Sequence, residues 1–136
     1  MAADRAGFRL SLKNPRGFAE FATQLAEHDA KGSARMSRGF QGARPSLYDF
    51  ENDIRKLSTP ALIVVGDEDE RCIEPALYLK NWFSASGLVV LPKTGHAVNL
   101  EEPDLFNQLV GDFLSRVDAG SWRPRDPRTR SPERPH

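Results

Sequence analysis

Ala61-Leu62-Ile63-Val64-Val65-Gly66-Asp67-Glu68-Asp69 and Leu88-Val89-Val90-Leu91-Pro92-Lys93-Thr94-Gly95-His96 follow one plan: an apolar run, then a short loop with a side chain able to hold or move a proton. Neither run alternates polar and apolar residues, so each is expected as a strand covered on both faces. Ser58-Thr59-Pro60 halts what precedes and launches the first run, because the residue before a proline is driven toward extended backbone. Between the runs, Glu74 to Phe83 is expected as a helix and Ser84 to Gly87 as a turn. Strand, helix and strand within about 30 residues make a βαβ unit, whose crossover is right-handed in about 98% of cases, so the strands should be parallel. Both loops then leave the sheet at its carboxyl end.

Outward from this unit, Glu101-Glu102-Pro103-Asp104 begins a helix with its acids in the first turn, where they suit the positive end of the dipole. Leu105, Phe106, Leu109, Val110, Phe113, Leu114 and Val117 mark its apolar face. Upstream, Phe18, Phe21, Ala22 and Leu25 recur at helical steps over Asn14 to Glu27, with Asn14 placed as a cap and Pro15 at the first helical position. Asp29 to Ser46 gathers Gly32, Gly39, Gly42 and Pro45 and is expected as a loop or loosely helical connection. Asp49 to Leu57 suits one short helix. From Asp118 onward, arginines set among prolines have almost nothing to bury, and disorder is expected. The chain thus divides into a helical segment 1–57, an α/β portion 58–117 and an Arg/Pro-rich tail 118–136.

Composition narrows the partners. The chain has 136 residues, one cysteine and a formal net charge of +0 with pI ≈ 6.8. No disulfide framework or cysteine-rich metal knuckle can be built from Cys72 alone. The charge balance supplies no global field for nucleic acid or an anionic membrane, and no apolar run approaches the roughly 20 residues of a membrane span. Neither partner is expected, and a cytoplasmic location is the default reading.

His96 could accept a proton near neutral pH, and an acid on its second ring nitrogen would fix the tautomer and stabilise the imidazolium. His28 lies near a helix end and His136 is terminal; neither suggests catalysis. Asp67, Glu68, Asp69 and Glu70 compete for the acid position, and the run also reads as a solvated turn. It lacks the spaced pattern of a calcium loop, and no metal site is expected. Cys72 sits in a negative neighbourhood that disfavours its thiolate, and is read as a small buried residue.

From about Ser58 to Val117 the order Thr59-Pro60, apolar strand, Gly66-Asp67-Glu68-Asp69, helix, strand, Thr94-Gly95-His96, Glu102-Pro103, Phe106-Asn107, Phe113-Leu114 resembles the C-terminal part of the α/β-hydrolase superfamily. That family uses a triad in the chain order nucleophile, acid, histidine, with acid and histidine after two late strands. The resemblance implies Asp69, third after the glycine, as the acid, with Asp67 as its rival, and His96 as the base. It implies hydrolysis of an ester or related bond in a small molecule, with no cofactor. Residues before Ser58 resemble the helical cap that members insert ahead of the acid strand, so Asn14 to Glu27 would help to shape a substrate pocket.

The family's nucleophile elbow, Gly-x-Ser-x-Gly between a strand and a helix, is not found in this sequence. Its nearest imitation, Arg35-Met36-Ser37-Arg38-Gly39, has arginine where a small residue is needed and no strand leading in, so Ser37 reads as a loop residue. A partial α/β-hydrolase fold follows: a βαβα unit with parallel strands and a cap-like helical segment, truncated or split from its nucleophile and inactive alone. Two interior strands leave edges for a complementing N-terminal half or for self-association. The alternative is a non-catalytic interaction module derived from the same fold.

Overall fold

The structure, a computed structural model of the chain, describes residues 9–129. Residues 9–13 are helical, and α1 (Pro15–Ala26), α2 (Ala30–Met36) and α3 (Glu51–Ile54) complete the N-terminal segment. β1 (Ala61–Gly66), α4 (Glu70–Trp82), β2 (Ser86–Leu91), α5 (Val98–Glu101) and α6 (Pro103–Asp118) follow.

The strands pair in parallel with Ala61 opposite Ser86 and Gly66 opposite Leu91, the arrangement expected of the βαβ unit. Among the described residues this is a two-stranded sheet. α4 packs along both strands and buries Ala76 and Trp82. Full cover on both strand faces, the sequence expectation, is corrected. Val65, Gly66 and Leu91 are buried, but Leu62 to Val64 are only partly so and Val90 is 46% exposed. The apolar character of the runs is real; two strands and one crossover helix are too few to cover it.

Local chemistry explains the helix boundaries. Asn14 caps α1 by accepting from the Gly17 amide at 2.9 Å, with Pro15 in the first turn. α4 starts at Glu70 rather than Glu74, so Pro75 lies within its second turn; the missing amide there removes one helical hydrogen bond, and the buried face compensates. The stretch 29–46 is more helical than expected, because Asp29 caps α2 through the Gly32 amide at 2.5 Å and Ser37–Gln41 continues as a π-helical turn. A capping box between Ser46 and Asp49 opens the turn Leu47–Phe50 ahead of α3. At Glu102 the backbone breaks from helical geometry before Pro103, separating α5 from α6.

In the stretch read as a disordered tail, residues 119–129 lie within the described structure and residues 130–136 lie outside it. Trp122 Nε1 donates to the Ala85 carbonyl at 2.9 Å, and its ring meets Phe113 edge-on at 4.9 Å between centroids. The ring covers Gly87, where a Cβ would lie 2.7 Å from it. The Arg125 amide bonds to the Ser84 carbonyl at 3.1 Å. Trp122 is a lone aromatic among prolines and arginines, and its partners Phe113 and Gly87 are remote in sequence, so composition could not show this contact.

Gly66 is the most closely enclosed glycine among the described residues. A Cβ there would collide with the carbonyl oxygens of Thr94 and Gly95, both main-chain atoms that cannot rotate away. Gly66→Ala should therefore cost stability at or above the usual overpacking range of about 1–3 kcal/mol, read as a lowered urea midpoint. An unchanged midpoint would show that the two loops do not pack this closely.

Candidate functional site

Because Gly66 faces Leu91 at the end of the ladder, the chain leaves both strands side by side. The Asp67 amide donates to the Leu91 carbonyl at 2.9 Å and the Glu68 amide to the Thr94 carbonyl at 3.0 Å, lacing the two loops together. The Asp67 carboxylate accepts from the Thr94 amide at 3.2 Å. Asp69 occupies the residue before α4, and its side chain makes no capping bond to that helix. It turns instead to the second loop, with Oδ2 2.6 Å from His96 Nδ1. Of the two rival acids, Asp69 thus meets the histidine and Asp67 braces the loop that carries it. The Asp69 side chain is 15% exposed and that of His96 64%.

The histidine loop is held from several directions. Lys93 adopts φ 56°, a left-handed conformation that tightens the turn after β2. Thr94 is fully buried; its hydroxyl donates to the Pro92 carbonyl at 3.0 Å and accepts from Lys13 Nζ at 3.1 Å. The Gly95 amide donates to the buried carboxylate of Glu101 at 2.8 Å. The other oxygen of Glu101 and Arg9 Nε are buried without a hydrogen bond among the described residues. Both side chains press on Gly95, where a Cβ would lie 3.0 Å from Glu101 Oε1 and 3.3 Å from Arg9 Cβ.

The N-terminal segment reaches both loops. Arg9 pairs with Glu68 in the acid loop, Lys13 with Glu102 beyond the histidine, and Asn14 Nδ2 donates to the Leu100 carbonyl at 3.3 Å. Sequence reasoning missed Arg9, Lys13 and Glu101 as supports. Their partners are far away along the chain, and isolated charged residues carry no pattern. The expected pocket-shaping face of α1 has no buried residue; Phe21 and Leu25 are exposed. Ser37 lies exposed in the π-helical turn after α2, where a helix rather than a strand leads in. His28 is exposed beyond α1, and His136 lies outside the described residues.

Cys72 stands beside the pair, its Sγ 3.9 Å from His96 Nδ1. Burial pushes the thiol up to about 11, and the hydrogen bond to Asp69 and the charge of that carboxylate add to the shift. Ligand atoms of Asp69, Cys72 and His96 all lie within 4.8 Å of one another. No helix among the described residues is long and apolar enough to cross a membrane.

No protein-family model matches the chain. Among characterised proteins it is 35% identical over 76 residues to the 2-hydroxymuconate semialdehyde hydrolase of Pseudomonas sp. (strain CF600), covering 55% of this chain and 27% of that protein. Over 76 residues it is 29% identical to the provisionally named 2-succinyl-6-hydroxy-2,4-cyclohexadiene-1-carboxylate synthase of Bacillus subtilis (strain 168), covering 56% of this chain and 27% of that one. Over 110 residues it is 32% identical to the provisionally named carbamate hydrolase RutD of Agrobacterium fabrum (strain C58 / ATCC 33970), covering 73% and 40%. The chain therefore spans about a quarter to two fifths of the length of these relatives. Together with the parallel βαβ unit, these matches show a likeness to part of the α/β-hydrolase superfamily, whose fold the chain carries in part. The solved structure of MenH from S. aureus overlaps 51% of this chain and 26% of its own at 25% identity and a TM-score of 0.49, too slight a likeness to argue from.

The raised thiol can be checked directly. Iodoacetamide should trap Cys72 in the folded chain slowly near neutral pH, with the rate still climbing as pH approaches 11. Asp69→Ala removes two of the three causes and should speed trapping at a given pH. A wild-type profile with its midpoint at the free-cysteine value of about 8.5 would contradict this.

Proposed function

We propose that the chain supplies the acid and the base of a nucleophile–histidine–aspartate triad, for hydrolysis of an ester or related bond in a small molecule. The single observation that carries this reading is the 2.6 Å approach of Asp69 Oδ2 to His96 Nδ1, made by two loops that leave adjacent parallel strands at the same end. With Nδ1–H donated to Asp69, Nε2 presents its lone pair away from the carboxylate. Among the described residues no hydrogen bond occupies it.

In this reaction Nε2 takes the proton of an attacking hydroxyl, and Asp69 stabilises the imidazolium without taking the proton itself. The nucleophile forms a covalent acyl intermediate; His96 then protonates the leaving group and afterwards draws a proton from the water that releases the acid. Glu101 and Lys13 hold the histidine loop, and Asp67 ties that loop to the acid loop. The nucleophile would come from a complementing N-terminal half that completes the sheet beside β1 and β2. The half-exposed strand faces and exposed Val90 suit such a neighbour. Two of the relatives are named as hydrolases, a semialdehyde hydrolase and a carbamate hydrolase, which supports a small carbonyl substrate for this chain as well.

The 136-residue chain alone should release no nitrophenol from a p-nitrophenyl ester. Mixed with an N-terminal half that carries a nucleophile elbow, it should turn the ester over, and His96→Ala or Asp69→Asn should lower kcat by about three to four powers of ten. Turnover that survives His96→Ala would remove the triad reading. Tight association of the halves without turnover would favour a non-catalytic interaction module instead.

A further inference from the structure

We propose that Asp69, Cys72 and His96 also form a binding site for a borderline divalent cation of the zinc type, and that the cation switches the histidine off. The three ligand atoms come from the residue before α4, from the first turn of α4 and from the loop after β2, and they converge within 4.8 Å of one another. The sulfur lies 3.9 Å and the Asp69 oxygen 2.6 Å from the same ring nitrogen. In a tetrahedral zinc site, metal bonds of about 2.0–2.3 Å separate neighbouring ligand atoms by roughly 3.3–3.6 Å. The sulfur need close by only a few tenths of an ångström and the carboxylate retreat by somewhat more, within the reach of side-chain rotation.

The donor set selects the ion. One thiol sulfur, one imidazole nitrogen and one carboxylate oxygen suit zinc and its neighbours, whereas magnesium and calcium require oxygen ligands throughout. Three protein ligands leave a fourth position for water, and the exposed ring of His96 leaves a way in. The charges balance: the thiol releases its proton to solvent, and thiolate and carboxylate together neutralise the dication.

The consequence lies in the histidine tautomer. Nδ1 can bind the cation only through its lone pair, so the ring proton must reside on Nε2. That is the nitrogen whose lone pair would accept the nucleophile's proton, so a metal-loaded histidine has no basic nitrogen left. This consequence rests on the triad reading; the site itself does not.

Cobalt(II) is the probe, added to the full 136-residue chain in a thiol-free reductant. A thiolate-to-cobalt charge-transfer band should appear at one equivalent per chain and vanish on adding zinc. Cys72→Ser should abolish the band, and Cys72→Ser and His96→Ala should each weaken zinc binding by about tenfold or more, the least expected when a ligand rather than its support is lost. His28→Ala should leave binding unchanged, and far-UV circular dichroism should show each variant folded. If wild-type chain gives no charge-transfer band, or zinc affinity survives both Cys72→Ser and His96→Ala, the site does not exist; the wild-type spectrum decides this even where a variant fails to fold. Zinc inhibition of the complemented enzyme, relieved in Cys72→Ser, would support the switch. Absence of ester turnover would defeat the triad reading and leave the cobalt result standing, so the two failures are distinguishable.

Discussion

The parallel ladder between β1 and β2 ends with Gly66 opposite Leu91, and the chain beyond it packs so closely that no side chain fits between Gly66 and the carbonyls of Thr94 and Gly95. Everything at the site depends on that approach. It lets the acid loop bond to the histidine loop through the amides of Asp67 and Glu68 and the carboxylate of Asp67. Asp69 then stands at the start of α4 with its carboxylate free of capping duty and aimed at His96. A residue with a Cβ at position 66 would force the loops apart, and the short Asp69–His96 contact with them.

A second layer of charge holds the loops from outside the unit. Glu101 is buried behind Gly95 and Lys13 reaches the buried Thr94, so the residues before His96 are gripped at both main chain and side chain. Arg9 reaches across to Glu68 in the acid loop. Partly exposed ion pairs contribute little stability singly, but here they fix the position of two loops on a rigid scaffold. Buried Glu101 and Arg9 Nε each keep one polar atom without a hydrogen bond among the described residues. Such groups are costly to bury, and both side chains lie beside Gly95 in the histidine loop.

The same closeness that pairs Asp69 with His96 also gathers Cys72. Its position one helical turn beyond Asp69 follows from α4 beginning immediately after the acid loop, and its amide bonds to the Asp69 carbonyl at 2.9 Å. Burial and the neighbouring carboxylate keep the thiol protonated, which argues against a nucleophilic role. A metal ion alters that balance, because it supplies the positive charge that the thiolate otherwise lacks.

Local pattern in the sequence was sufficient for the strands, their parallel sense, the cap at Asn14, the long helix α6 and the pairing of an acid loop with Gly95-His96. Each of these depends on residues adjacent in the chain or on a period a few residues long. The preference for Asp69 over Asp67 came from the resemblance to a known family, since four successive acids look alike by composition; in the folded chain the Asp69 carboxylate lies beside His96 and that of Asp67 accepts from the Thr94 amide. The supports at Arg9, Lys13 and Glu101, the docking of Trp122 and the approach of Cys72 to His96 were decided by tertiary structure alone. They join residues far apart along the chain, and such contacts come into being only when the parallel pairing brings the two loops to the same end of the sheet.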